Sequence, residues 1–313
     1  MRGIRDMAVT ASVPYFNASG YVCRAVESLL AQTHHEITIV VVCDGDPCPP
    51  WQELAHIRDR RLVRFSLSGN YGPYFAHQVV LGASNTPYFL VQDADDWSVP
   101  HRVSTLLQAL ISEGSDLAFS AWQQYRVNGN RILQPDSIRW RRRQELDPAY
   151  AEPGQRELFL FDPVLTERFV NRAAHHGLFR REAIERIGGY YAGFRMNYDT
   201  LLTNLLLMTG RVSFVDEPLY QYVIRQDSLS HSATTGVRSP IRVMTKQQLA
   251  ILYREAFDHY RSWMQRELSS EEFNARIRYL ANRFVTPELQ SALETETARL
   301  ASVLRDQTAM MPA

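Results

Sequence analysis

The amino-acid sequence predicts an α/β protein: a mostly parallel sheet flanked by helices, followed by an all-helical C-terminal extension. In the first half of the chain, short apolar runs of strand length alternate with segments of helical spacing. Two of these runs, Ile37–Val42 and Tyr88–Val91, end in acidic residues. From about Pro240 onward, only helical spacing is found. Alternating strands and helices imply right-handed crossovers, which bring the carboxyl ends of the strands to one edge of the sheet.

The elements of the first half follow from this periodicity. We predict strands over Ala8–Val13, Ile37–Val42, Leu62–Phe65, Tyr88–Val91 and Leu117–Ala121, and helices over Tyr21–Gln32, Trp51–Ile57, Tyr74–Gly82 and Arg102–Glu113. Ile37–Val42 is β-branched without a polar break, which is typical of a buried parallel strand. Ser98 is expected to be the N-cap of the helix over Arg102–Glu113, with Pro100 in its first turn.

The second half of the chain divides into three parts. Residues 126–170 are rich in Arg, Gln and Pro, with the run Arg139–Arg143 at their centre, and are expected to form a solvated insertion. A helix over Leu201–Met208 and strands over Val212–Val215 and Leu219–Ile224 follow. We therefore place one domain at 1–235 and a helical region at 236–313.

The C-terminal region has three predicted helices. An apolar stripe runs from Leu249 to Met264, Ser269 with Glu272 makes a capping box, and Thr286 followed by Pro287 starts the third helix. The stripe is expected to pack against the sheet domain, or against a second copy of the chain in a homodimer.

Composition excludes several classes of protein. The formal net charge is zero and the pI about 7.1, which argues against charge-driven binding to nucleic acid. The three cysteines form no zinc pattern, and so sparse a set fits a reducing cytoplasm. No signal peptide is expected, and the apolar run Ile37–Val42 is too short to span a bilayer. The predicted location is the cytoplasm, with peripheral contact at the inner membrane face left open.

Three carboxylates, Asp93, Asp95 and Asp96, directly follow the strand over Tyr88–Val91. Ligands of open α/β sheets bind at such strand ends. Crowded acids raise one another's pKa unless a cation joins them, and their oxygens suit Mg²⁺ or Mn²⁺. The alternative is an acidic, solvated turn before a helix. Patterns for a P-loop, a dinucleotide fingerprint and a nucleophile elbow are absent from the sequence.

Several motifs in chain order resemble the inverting nucleotide-sugar glycosyltransferases of the GT-A fold, family 2. They are Pro14-Tyr15-Phe16-Asn17, Ser28-Leu29-Leu30-Ala31-Gln32-Thr33, Cys43-Asp44-Gly45-Asp46, Asp93-Ala94-Asp95-Asp96 with Pro100 and Arg102, Phe179-Arg180-Arg181-Glu182, Gly188-Gly189-Tyr190, Tyr198-Asp199 and Tyr222 to His231. The resemblance covers roughly residues 8–231. It implies a Rossmann-like GT-A domain, with a nucleotide-sugar-binding half at 1–121 and an acceptor-binding half at 122–235.

The resemblance also implies roles for single residues. Asp44 would hydrogen-bond uracil, with Phe16 near the base, and Asp93 would contact the ribose or the water shell of the metal. Asp95 would ligate Mn²⁺ or Mg²⁺, and Asp199 would be the catalytic base. The substrates would be a nucleotide-sugar, with UDP as the expected nucleotide, and a sugar-containing or hydroxylated acceptor. Further implied contacts are nucleotide binding by Pro14 and Ala94, metal binding by His231, and acceptor binding by His175, His176 and Trp97.

Each role has a structural alternative. Asp44 could satisfy a turn, Asp199 could be an N-cap, the adjacent histidines 175 and 176 could be a polar loop or a core pair, and His231 could lie in a surface loop. The chain departs from the family pattern at Cys43, at Tyr198 and at His77-Gln78, where the family often has Arg-Asn. A His-Gln pair offers less charge to a diphosphate than Arg does.

Three functions therefore compete. The first is a metal-dependent inverting glycosyltransferase, in which a metal stabilises the leaving diphosphate and one general-base displacement inverts the sugar. The second is a nucleotidyltransferase on a related sheet, although residues 14–20 lack the Gly-rich basic loop that such enzymes use. The third is a catalytically degenerate homologue that binds a nucleotide or glycan without transfer.

Overall fold

A nine-stranded mixed sheet between two layers of helices organises the chain. The computed structural model describes residues 7–128, 131–139, 175–191, 193–232, 234–236 and 238–309. The strands are β1 Val9–Tyr15, β2 Ile37–Cys43, β3 Leu62–Ser66, β4 Tyr88–Val91, β5 Trp97–Ser98, β6 Leu117–Asn128, β7 Arg131–Arg139, β8 Leu178–Arg180 and β9 Val212–Ile224. The α-helices are α1 Val22–Leu30, α2 Pro73–Ala83, α3 Arg102–Ser112, α4 Arg181–Arg186, α5 Tyr198–Thr209, α6 Pro240–Met264, α7 Ser270–Asn282 and α8 Pro287–Ala309.

The strand order is β3-β2-β1-β4-β8-β6-β9-β5, and β7 pairs with β6. The first four strands in this order pair in parallel, as the alternation of strands and helices predicts. Strand β8 then lies antiparallel between β4 and β6. It thereby joins the parallel half to a mixed half, in which β6 and β9 are parallel. The carboxyl end of β4 therefore lies in the middle of the sheet, between the two halves.

Alternation along the central strands divides the interior into two cores. Ile37, Ile39 and Val41 of β2 pack toward α1 and α3, whereas Val40 and Val42 pack on the other side. Successive side chains of a strand point to opposite faces, so a run without polar residues is required where both faces are covered. This confirms the prediction of a buried parallel strand.

The C-terminal helices bury their apolar stripe in the second of these cores. Leu249 and Leu252 of α6 and Ile277 of α7 share one cluster with residues of α2 and α5. Packing against the sheet domain is thus confirmed, as is the capping box at Ser269. The domain boundary at residue 235 and the homodimer remain predictions.

Four local predictions differ from the structure. Ser98 is not an N-cap, because it lies in β5 and α3 begins at Arg102. Over Trp51–Ile57 the chain forms only a 3₁₀ helix, Glu53–His56. The two strands expected over Val212–Val215 and Leu219–Ile224 are one continuous strand, β9. Its pairing with β6 has register irregularities near the middle of the strand. Part of the expected insertion at 126–170 is instead the hairpin of β6 and β7; residues 140–174, with most of the Arg-rich run, lie outside the described residues.

The charged guanidinium of Arg102 lies in the protein interior, beside the end of β4. Its side chain is fully buried. One terminal nitrogen, Nη1, donates to Gln92 Oε1 at 2.8 Å and to Ser98 Oγ at 2.7 Å. The other, Nη2, donates to the carbonyls of Val91, at 3.0 Å, and of His176. Arg102 thus joins strand β4, strand β5 and the segment before β8, which are the three pieces of backbone around the acidic motif.

We expect Arg102→Met to lower the free energy of unfolding by about 2–5 kcal/mol, because several buried acceptors would lose their donor at once. Urea denaturation followed by circular dichroism measures this loss. The exposed Arg276 of α7, replaced by Met, is the matched control and should change stability by under about 0.5 kcal/mol. A loss in Arg102→Met no larger than in the control would contradict the bridging role.

Candidate active site

Three carboxylates converge at the carboxyl end of β4. One carboxylate oxygen from each of Asp93, Asp95 and Asp96 lies within 4.8 Å of the other two. Asp95 Oδ2 accepts from Arg225 Nε at 2.7 Å, and Asp96 Oδ1 accepts from the backbone N–H of Val223 at 2.7 Å. The end of β9 therefore holds the acidic cluster of the β4 turn through one guanidinium and one backbone amide. The ligand set of the cluster, carboxylate oxygens only, is the kind that Mg²⁺ and Mn²⁺ bind.

The expected upward pKa shift is found for two of the three acids. Burial raises the pKa of Asp95, although the neighbouring Arg225 opposes the shift. Burial, reinforced by the charges of the other two acids, raises the pKa of Asp96 well above its usual value. Asp93 behaves oppositely: burial favours its neutral form, but the hydrogen bond and charge of His176, with the charges of the other nearby histidines, lower its pKa. Asp93 is thus the carboxylate of the cluster that stays ionised most readily.

A second cluster adjoins the first through Asp93. Asp93 Oδ2 lies 3.1 Å from His176 Nε2, and the His176 ring stacks on Tyr220 at 4.3 Å. His175 lies behind, with Nδ1 3.0 Å from the hydroxyl of Tyr190. Ligand atoms of Asp93, His175 and His176 lie within 4.8 Å of one another, so this group also has the spacing of a metal site. The adjacent histidines are therefore part of the acidic site rather than an isolated polar loop.

At the His77-Gln78 departure from the family pattern, His77 is buried and Gln78 is half-buried. His77 is fully buried, and its Nδ1 is 2.9 Å from Ser12 Oγ. Burial, helped by the charges of the other two histidines, lowers the pKa of His77 to about 3. Gln78 Oε1 accepts from the backbone N–H of Tyr190 at 2.6 Å. Each side chain thus makes a hydrogen bond within the fold, while His77 Nε2 has no hydrogen-bond partner among the described residues.

Asp44 holds the loop that leads into α2. It is buried at the end of β2, and its two oxygens accept from the backbone N–H groups of Tyr71 and Gly72 at 2.7 and 2.8 Å. Gly72 has φ 98°, a conformation that favours glycine. Burial raises the pKa of Asp44, whereas the two hydrogen bonds and the charge of Arg195 oppose the shift. Asp44 therefore satisfies a turn, and its contact with uracil stays a prediction.

Asp199 lies in the first turn of α5. The N-cap of this helix is Asn197, so Asp199 is not the cap that the alternative required. Asp199 Oδ1 accepts from the hydroxyl of Tyr74 at 2.9 Å. The negative charges of both Asp199 and Asp93 act on Tyr190 and help burial to raise the pKa of its hydroxyl. The charges of the two carboxylates thus act on the same two buried side chains, Tyr190 and His175.

The remaining predicted residues lie around this centre. Phe16, just after β1, is 50% exposed, and Ala94 is buried within the acidic turn. Trp97 packs on Tyr125, with ring centroids 4.6 Å apart. His231 Nδ1 lies 3.0 Å from Ser228 Oγ, and His231 belongs to neither of the two clusters described above. Pro14 lies in β1 opposite Val42. The ligand contacts predicted for all five stay predictions.

Sequence reasoning missed two side chains that contact the predicted catalytic and metal-binding acids. Arg225 is nearly buried, and besides Asp95 it donates to the carbonyl of Asn17 at 2.9 Å. Tyr74 lies in the first turn of α2, 125 residues before its partner Asp199. Arg225 lies within the Tyr222–His231 motif, so a basic residue directly after an apolar strand was the available signal. No local pattern marks Tyr74, since its contact is made only by the tertiary fold.

Comparison with protein families and relatives identifies the chain. The model of "Glycosyl transferase family 2" matches residues 10–188. The succinoglycan biosynthesis protein ExoO of Rhizobium meliloti (strain 1021) is 26% identical over 298 residues, which cover 91% of this chain and 81% of that protein. Glycosyltransferase GlyA of Streptococcus pneumoniae serotype 4 is 24% identical over 235 residues, covering 72% of this chain but 32% of that longer protein.

Solved structures show the same architecture. Residues 1–349 of S. aureus TarS in complex with UDP superpose with a TM-score of 0.52 at 15% identity, covering 97% of this chain and 92% of that one. The complex of the same protein with UDP-GlcNAc gives a TM-score of 0.53 over 96% of this chain. At this identity the likeness supports the fold alone, which is GT-A. Among the described residues, no helix has both the length and the hydropathy needed to cross a membrane.

Buried neutral His77 makes the stability of the protein depend on pH. The unfolded chain takes up a proton at this histidine below pH 6.5, whereas the folded chain does so only near pH 3, so stability is lost as the pH falls between these values. We expect His77→Gln to reduce the loss of unfolding free energy between pH 7 and pH 5 by about 2 kcal/mol. Urea titrations at both pH values measure it, with the exposed His35→Gln as control. An unchanged difference in His77→Gln would contradict the assignment.

Proposed function

Because the chain belongs to glycosyltransferase family 2, we propose that it is a metal-dependent inverting glycosyltransferase. It would move a sugar from a UDP-sugar to the hydroxyl of a sugar-containing or otherwise hydroxylated acceptor. The observation that carries the proposal is the acidic cluster of Asp93, Asp95 and Asp96, at the carboxyl end of the central strand β4. This is where ligands of open α/β sheets bind.

The residues present fit a divalent cation. Asp95 would hold it, with Asp93 contributing directly or through its water shell, and His231 would be a further ligand from the segment after β9. When bound, the ion would neutralise charge on the leaving diphosphate as a Lewis acid. The raised pKa values of Asp95 and Asp96 support this proposal, because a second cation beside Arg225 would relieve the repulsion among the three acids.

Asp199 would be the general base. Tyr74 donates to one oxygen of its carboxylate, which orients the group and leaves the other oxygen to accept the proton of the acceptor hydroxyl. A single displacement with one base inverts the anomeric configuration. His175, His176 and Trp97 would contact the acceptor or the transferred sugar, because the charges of both Asp93 and Asp199 act on His175, and His176 lies within hydrogen-bond distance of Asp93.

A uridine nucleotide is the proposed donor base. The superposed TarS structures are complexes of that protein with UDP and with UDP-GlcNAc. In this chain, Asp44 would accept from the imide N–H of uracil through lone pairs beyond those that hold Tyr71 and Gly72, with Pro14, Phe16 and Ala94 beside the nucleotide. If the existing partners of Asp44 and Asp95 exclude the nucleotide and the metal, the chain would bind at most a glycan and would transfer no sugar.

The first test is binding of nucleoside diphosphates by titration calorimetry, with and without Mn²⁺. We expect UDP to bind more tightly with the metal than without it, and more tightly than ADP or GDP. In Asp95→Asn we expect the metal-dependent part of UDP affinity to fall about tenfold or more, because a charged ligand is lost. Asp216→Asn, an exposed carboxylate of β9, is the control. If the UDP affinity changes neither with Mn²⁺ nor in Asp95→Asn, the proposed metal role is refuted. If ADP binds more tightly than UDP, the uridine preference is refuted.

The second test concerns Asp199. Replacing it with Asn keeps the shape and an acceptor for Tyr74 but removes the proton acceptor, which typically costs about a hundredfold to ten-thousandfold in rate. We therefore expect Asp199→Asn to keep its melting temperature and its UDP affinity while kcat for transfer collapses. Transfer near the wild-type rate would show that another residue is the general base, and His176 would be replaced next. Lost stability with normal specific activity of the folded fraction would make Asp199 purely structural.

A further inference from the structure

Arg242 of the C-terminal helix α6 is a buried cation whose guanidinium contacts the segment after β9 and the start of α5. Arg242 is 7% exposed and lies outside the segment 10–188 that the family model matches. Nε donates to the carbonyl of Thr235 at 2.7 Å, and Nη2 donates to the carbonyl of Leu229 at 2.9 Å. Nη1 donates to Asn197 Oδ1 at 2.7 Å. One guanidinium thus contacts two segments that are distant along the chain.

The first segment, which we term the β9 segment, comprises the described residues 225–232 and 234–236. It begins with Arg225, whose Nε pairs with Asp95 at 2.7 Å. Arg242 binds the carbonyls of Leu229 and Thr235 in this segment. These two residues also contact each other, because the Thr235 hydroxyl donates to the Leu229 carbonyl at 2.9 Å. The contacts of Arg242 therefore restrain the segment whose first residue neutralises the predicted metal ligand.

The second segment is the start of α5. Asn197 is the N-cap of this helix and has φ 64°, a left-handed conformation that asparagine tolerates better than most residues. Its Nδ2 has no hydrogen-bond partner among the described residues, so the bond from Arg242 to its oxygen is what orients the amide. Asp199 follows two residues later. The orientation of this first turn determines where the Asp199 carboxylate points toward Tyr74.

We propose that Arg242 is a positioning residue that sets the β9 segment and the Asp199 turn relative to each other. The metal-side and base-side groups of the site would thereby be aligned from the first C-terminal helix. The proposal rests on the proposed function for the roles of Asp95 and Asp199. Arginine suits the task because its planar fork reaches three acceptors in fixed directions, which the single ammonium of lysine cannot do.

The experiment compares Arg242→Met, Arg242→Lys and a control, Arg261→Met, which removes an exposed arginine from the same helix. Hydrogen exchange of the full chain, followed by mass spectrometry, is measured for peptides that contain Asn197 and for peptides that contain Leu229. We expect both to exchange about tenfold faster or more in Arg242→Met than in the control, and to a smaller extent in Arg242→Lys, because charge-assisted hydrogen bonds are lost. Exchange at β1 and β2 should not change.

Transfer kinetics give the second measurement, normalised to the folded fraction. We expect kcat to fall about 10- to 100-fold in Arg242→Met, while the KM for the donor and the affinity for UDP stay within about threefold of the control. A role only in stability would leave the kcat of the folded fraction unchanged, and that result would overturn the proposal. So would faster exchange at only one of the two segments.

Two further outcomes are decisive. If Arg242→Met does not fold, Arg242→Lys takes its place, and exchange in the lysine variant equal to that in the control overturns the proposal. If the wild type transfers no sugar from any nucleotide-sugar, the proposed function fails. The exchange comparison alone then decides whether Arg242 couples the two segments, because it needs no activity.

Discussion

The carboxyl end of strand β4 is built around the buried guanidinium of Arg102. Burial lowers the pKa of Arg102 to about 10, with Tyr220 and two nearby acids acting against the shift, so it remains a cation at neutral pH. Its ring partner is Tyr220, whose centroid lies 4.5 Å from the guanidinium carbon. Tyr220 in turn accepts from the backbone N–H of Asp93 and stacks on His176. The cation and the tyrosine together hold the acidic turn and the histidine segment in one place.

This arrangement explains how three acids coexist at one strand end. Each acid has a different compensating group: Asp93 has His176, Asp95 has Arg225 and Asp96 has the Val223 amide. The two upward pKa shifts show that the compensation is incomplete. A buried site with residual repulsion favours any further cation that fits, which is the electrostatic basis for the proposed metal.

Much of the fold follows from sequence because its signals are local. The β-branched run of β2, the helical stripe of α6 and the capping box of α7 each predict their own structure. The acidic motif is likewise contiguous, so its position at a strand end could be predicted. Ser98 failed as a cap because the fold uses its hydroxyl for Arg102 and Gln92, and its backbone pairs with β9. The partners of His77, Asp199 and Asp95 lie 65 to 130 residues away, where no local pattern reaches.

The loop before α2, which would lie on the donor side of the proposed site, also depends on residues beyond the family segment. Glu296 of α8 is 1% exposed and accepts from the backbone N–H of Ser68 at 3.0 Å. Ser68 lies in the short loop whose other end Asp44 holds through Tyr71 and Gly72. A buried carboxylate needs such partners to offset its desolvation, and Arg299 supplies a second one. The loop before α2 is therefore restrained by one acid from the sheet and one from the last helix. Together with Arg242 in α6, this makes the C-terminal helices part of the framework on both sides of the site.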